Sequence, residues 1–251
     1  MATNIFYFYH PSTRCSDHAT TGGQALVLPI PLFDLTVRTP GSPAEVVESV
    51  RLLVLLTVLS LVPAIMMMVT SFTRTVIVLS LVRTAVAAQN VPPNQVIIGL
   101  ALFITFFTMT PTITALNDSA LTPFLNGEIN QEVALERGAV PLREFMLQHT
   151  READLALFLM ATDSPAPQTP QDVSLNVLIP AFMISELKTA FQMGVILFIP
   201  FMVIDMVVAS TLLSMGMFML PPVTISLPFK LLLFVMADGW HLVVKSLIES
   251  F

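Results

Sequence analysis

Four charged side chains stand inside apolar runs in the last third of the chain: Glu186, Lys188, Asp205 and Lys230. Two carboxylates and two ammonium groups in such surroundings could carry protons, hold a substrate ion or join helices as buried pairs. Left unpaired at the middle of a bilayer, each would cost about 2.5–3.5 kcal/mol on insertion scales. Between them lies a stretch of different chemistry, Ser214 to Pro222, in which Met215, Met217, Phe218 and Met219 are followed by Leu220 and a double proline. Flexible, polarisable thioethers gathered at a pore axis would seal against ions by apolar contact and still deform around a passing side chain.

Other chemistries find less support. An enzyme needs a nucleophile with its base, a metal cluster or a carboxylate pair, and Ser185-Glu186 or Asp205 alone supplies none of these. A secondary transporter would explain charges and prolines within apolar helices, but its substrate site should gather more polar groups than two carboxylates and two lysines. His10, Cys15 and His18 fit no compact zinc spacing, and His149 has no second ligand at helical spacing, so it reads as a solvated residue and no cofactor is expected. The four charges therefore read as structural bridges, with no proton relay among them.

The elements that carry these residues are set by composition. Of the 251 residues 55 % are hydrophobic and only 11 % charged, and the mean hydropathy is +0.81, outside the range of ordinary soluble domains. Fifteen methionines and eighteen phenylalanines against one tryptophan and two tyrosines make packing surfaces with few polar handles. The expected fold is all-α, a membrane-complex protein of kinked helical hairpins with four long hydrophobic segments and an acidic helical insertion. The net charge of −6 resides in that insertion. Between residues 117 and 176 nine acids oppose three arginines, a face that repels nucleic acid and, lacking lysine, is placed on the extracytoplasmic side.

In chain order, residues 1–44 read as a loose arm with Pro29, Pro31, Pro40 and Pro43, without the basic start and apolar core of a secretory signal. Residues 45–116 form a first hydrophobic hairpin region. Its first helix runs to Val69 with a kink at Pro63, Arg74 and Arg83 mark a cytoplasm-facing end, and Gln95 to Leu116 is a second uncharged span. The threonines of that span return their hydroxyls to the backbone, and Pro111 bends it. Residues 117–176 are the acidic section, with one amphipathic helix from Pro141 to Met160 at the surface. Residues 177–251 form a second hairpin, bent at Pro180 and Pro200, whose arms meet at the methionine tip.

Counting from a turn at Phe218, Asp205 lies thirteen residues before the apex and Lys230 twelve after it, so the two stand level. Glu186 lies thirty-two before it, roughly 30 Å farther along its arm at 1.5 Å per residue, and reaches Lys230 only between staggered neighbouring chains. Glu186 and Lys188 point about 200° apart on one helix and cannot neutralise each other.

Five stretches carry a resemblance: Thr70-Ser71-Phe72-Thr73-Arg74, Pro92 to Phe103, Phe182 to Gln192, Ile204 to Ser210 and Ser226 to Phe234. They resemble the FliP family of flagellar type III secretion export-gate proteins over about residues 45–250. The resemblance implies a pentamer of the chain with the export-gate proteins FliR and FliQ and further export-apparatus subunits, passing unfolded flagellar proteins through a closed helical pore. It implies the bacterial inner membrane and flagellar basal body as the location, with part of the assembly above the membrane on the periplasmic side. It also implies that Met215, Met217, Phe218 and Met219 form the constriction; a bridge from Glu186 to Lys230 between subunits would fix the stagger of the ring, while the residue count alone prefers Asp205 as the partner of Lys230.

Overall fold

A computed structural model describes residues 43–88, 91–162, 169 and 172–251. Among these residues every regular element is helical, and His10, Cys15, His18 and the N-terminal arm to residue 42 lie outside them. Residues Arg51–Phe251 make one compact unit, which holds the charged residues and the methionine tip.

Helix α1, Pro43–Val69, runs unbroken through Pro63, and from Val50 to Met68 its side chains are exposed, with Val69 the first to be buried. Thr70 and Ser71 turn the chain into α2, Phe72–Ala85. The expected second span, α3, covers Asn94–Leu116 and also runs through Pro111. It does not end where the acidic residues begin. A π-helical turn, Asn117–Leu121, carries it on into α4, Thr122–Leu125, so the rod lengthens to 32 residues. Four of its threonines, Thr105, Thr108, Thr110 and Thr114, bond a carbonyl three or four residues back at 2.7–3.1 Å. Hydroxyls satisfied in this way line no polar path.

The amphipathic helix expected over Pro141 to Met160 is two helices. Helix α5, Gln131–His149, starts ten residues before Pro141 because Asn130 caps it, its side chain accepting from Val133 N at 2.9 Å. Thr150 and Arg151 are both extended, at ψ 130° and 139°, and break the rod before α6, Glu152–Ala161.

Helix α7, Leu175–Ser214, is a single rod of 40 residues with Pro180 and Pro200 inside it, and α2, α5, α6 and α8 all lean on it. Its buried or half-buried positions Glu186, Ala190, Gly194, Phe201, Asp205 and Leu212 follow at steps of four, four, seven, four and seven residues, one face of a helix. Two cores meet along that face. Phe145, Met146, Val177, Leu178 and Phe182 fill one beside α5 and α6. Leu79, Val82, Ala101, Ala190, Phe201 and Phe234 fill the other among α2, α3, α8 and α9.

The right arm of the hairpin, after the methionine tip, is not one helix. Helix α8 spans Pro222–Met236 and α9 spans Gly239–Glu249, bent by 62°. The corner is Asp238 in the left-handed region, at φ 50°, where a short polar side chain costs less than a branched one. Gly239 follows because the Phe234 ring fills the space of a side chain: a Cβ there would lie 2.3 Å from two ring carbons. By length and composition, three helices among the described residues can cross a membrane, or four if the bent α8–α9 pair counts as one span.

Phe234 is itself held, 6.3 Å from the Phe201 ring and edge-on to Trp240 at 5.4 Å, so it has little room to yield. Gly239→Ala should therefore destabilise the chain by about 1–3 kcal/mol, the usual cost of overpacking. Thermal unfolding of the detergent-solubilised protein, read against wild type, measures it.

Candidate functional site

The tip is built by the end of α7. Met217 N donates to Leu212 O and Gly216 N to Leu213 O, both at 3.0 Å, with Gly216 at φ +75°, the paired closure of a Schellman motif. On the other side Pro222 opens α8 at its first position, where a missing N–H costs nothing. Only Met217 to Pro221 remain to link the two helices. Met215, Phe218 and Met219 are 68 %, 77 % and 96 % exposed, and Met217 is 43 % exposed, so the four expected constriction residues project from the fold without packing into it.

Within the chain all four charges stand in pairs, and one of them is the pair that the residue count prefers. Asp205 Oδ2 accepts from Lys230 Nζ at 2.7 Å, across the hairpin and level as the residue count gives. Ser226, one turn before Lys230 on α8, donates to the other carboxylate oxygen at 2.5 Å. Lys230 is almost wholly buried and Asp205 is about one-third exposed, so the lysine depends on the carboxylate more than the reverse.

Glu186 does not turn to Lys230. Its side chain is fully buried and grips Arg74 of α2 in a two-point bridge, Oε2 accepting from Nε at 2.8 Å and Oε1 from Nη2. The third arginine nitrogen, Nη1, donates to Ser250 O at 2.7 Å and Ser250 Oγ at 3.1 Å, and the guanidinium lies 3.9 Å over the Phe251 ring. Arg74 thus gathers α2, α7 and the end of α9. Arg74 is buried, whereas Arg83, bonded to Asn94 Oδ1 at 2.6 Å, stays partly exposed.

Lys188 faces the other way, as its angle to Glu186 requires, and bonds Asp154 of α6. Ser185 donates to Asp154 Oδ2 at 2.9 Å and accepts from Arg151 N at 3.0 Å, so one hydroxyl pins the first turn of α6 to α7. The Lys188 hydrogen bond holds the Asp154 carboxyl below its ordinary 3.8, with the Ser185 bond and the charges of Lys188 and Arg151 acting the same way and burial opposing them. His149 is half-buried rather than fully solvated. Its Nδ1 lies 2.7 Å from Phe145 O and its ring rests against Phe145 and Phe251.

Sequence reasoning missed Arg74 and Asp154 because their partners are remote, yet a signal existed. Arg74 stands among Thr73, Thr75 and a long apolar run, and a charge so placed needs a counter-charge as much as Glu186 does.

Taking away one partner of the buried Arg74–Glu186 pair should cost about 3–5 kcal/mol, since the other is left charged and dry. Arg74→Met and Glu186→Met, combined, should lose well under the sum of the two single losses in a denaturation cycle. For Asp154 the folded value lies below the unfolded one, so its contribution is present above about 3.8 and is lost as pH falls through the folded value. The midpoint gap between wild type and Asp154→Asn should be full at about pH 6 and shrink as the pH falls below 3.8.

The FliP family matches residues 55–247, which include all three charge pairs and the tip. The chain is 55 % identical over 217 residues to the flagellar biosynthetic protein FliP of Bacillus subtilis (strain 168), covering 86 % of this chain and 98 % of that one. Its counterpart from Pectobacterium carotovorum subsp. carotovorum is 57 % identical over 217 residues, 86 % of this chain and 84 % of that one. The Aquifex aeolicus (strain VF5) protein of the same name is 51 % identical over 224 residues, 88 % of this chain and 92 % of that one. On this extent of match and identity, the chain belongs to the FliP family.

Proposed function

We propose that the chain is a core subunit of the flagellar type III protein export gate. Five copies, together with FliR, FliQ and further export-apparatus subunits, enclose a closed helical pore for unfolded flagellar proteins in the inner membrane, at the flagellar basal body. The acidic section from residue 117 lies on the periplasmic side of that assembly.

The observation that carries this reading is the bare tip. Four large apolar side chains stand out from a rigid 40-residue helix, and no solvated protein gains from leaving them there. Copies arranged with their tips at one axis would cover them. The same holds for the outer face of α7, where Val195, Ile196, Met206 and Val207 are exposed, and for α1. A transporter is less well supported: each of the intrahelical charges Glu186, Asp205 and Lys230 already holds a hydrogen-bonded counter-charge, which leaves none of the three free to follow a coupled ion.

Replacing Met217, Phe218 and Met219 together by glycine should open the reconstituted complex to small ions while its native mass stays that of the wild-type assembly. Planar-bilayer conductance and the mass of the detergent-extracted complex measure the two. Wild-type conductance in an intact assembly of the variant would remove the tip as the seal. A chain that extracts as a stable monomer would remove the gate.

A further inference from the structure

A groove of about 420 Å³ lies between α2, the start of α3 and the α8–α9 corner, floored by Leu79, Val82, Ile97, Leu100 and Phe234. That volume is within the range of ligand pockets, about 300–1,000 Å³, and the floor offers only hydrocarbon contact. Two further lining residues are of another kind, Arg83 and Trp240. Arg83 stands in the last turn of α2. Its Nη1 donates to Asn94 Oδ1 at 2.6 Å and to Pro92 O at 3.3 Å, and these are its hydrogen bonds among the described residues. They fix the guanidinium beside the residue at which the apolar rod Asn94–Leu125 begins. Arginine and tryptophan at the end of an apolar span occupy the headgroup level of a bilayer, where phosphates lie.

We propose that this groove holds one acyl chain of an anionic phospholipid, with the headgroup phosphate on Arg83 and the chain laid along Leu79, Val82 and Leu100 beside Trp240. Hydrocarbon fits the floor, and the fixed cation at its mouth selects an anionic head over a zwitterionic one. Exposed Val91 and Val96 border the groove, which leaves a route from the lipid side.

Trp240 is the chain's one tryptophan, so its fluorescence reports on this groove alone. The full chain in uncharged detergent is titrated with phosphatidylglycerol carrying brominated acyl chains, which quench tryptophan on contact, and with brominated phosphatidylcholine of the same chains. Saturable quenching is expected, at about tenfold lower concentration for the glycerol head, the size of one charge-assisted hydrogen bond. Arg83→Gln should erase that difference, and Val96→Phe, which fills the rim and leaves Arg83 in place, should weaken quenching by both lipids. Non-saturating quenching that is equal for the two heads, or quenching that Arg83→Gln leaves unchanged, overturns the proposal. So does a rise in native mass that tracks the quenching, which would give the groove to a second copy. If Arg83→Gln does not fold, unchanged quenching in Val96→Phe overturns it.

Discussion

Arg74 and Glu186 hold the two halves of this molecule to each other. Glu186 lies on α7 between Phe182, which belongs to the core beside α5 and α6, and Ala190, which belongs to the core among α2, α3, α8 and α9. At that seam the carboxylate is fully buried, and it is answered by a guanidinium 112 residues earlier in the chain. A buried pair of this kind adds little net stability over well-packed apolar residues, because desolvation offsets most of the attraction. What it supplies is register. Two greasy helices can slide past one another at small cost, whereas a two-point bridge closes at one offset only.

Register at the seam propagates along α7. The helix is one rod, so fixing Glu186 against α2 also fixes Gly194 against Leu81, where a Cβ would approach to 2.3 Å, and Asp205 against Ser226 and Lys230 on α8. The same period carries all of them to one face. Lys188, two residues from Glu186, falls on the opposite side and anchors α6 through Asp154. Both sides of the rod are thereby tied by polar contacts that tolerate no slip, and the remaining outer surface is left apolar.

How much of this the sequence discloses follows from distance along the chain. Asp205 and Lys230 could be matched by counting residues because the turn between them is short and Gly216 with Pro222 pins it. Glu186 could not be matched that way, since its partner belongs to another hairpin and counting residues within its own leaves it roughly 30 Å from the level of Lys230. Helix existence was legible throughout, but helix ends were not. Proline misled at one boundary: Pro141 looked like a start, while it lies inside a continuous helix, as Pro111 and Pro200 also do. In an apolar setting neighbouring helices carry the strain that proline would impose on an isolated rod. The true stops are polar and small, Asn130, Thr150 with Arg151, Gly216, and Asp238 before Gly239.

The contrast between spine and tip bears on how the proposed closure works. Every charge on α7, Glu186, Lys188 and Asp205, is bonded to another helix, so a bend at those positions would strain an ion pair. The residues past Leu213 are held by little more than the Schellman bonds of Gly216 and Met217 and the start of α8. Deformation therefore concentrates in five linking residues, two of which carry thioethers that change rotamer at small cost. In the proposed gate a barrier placed there would part and reseal while the helices that carry it keep their shape, and this division of labour would need the ion pairs as much as the methionines.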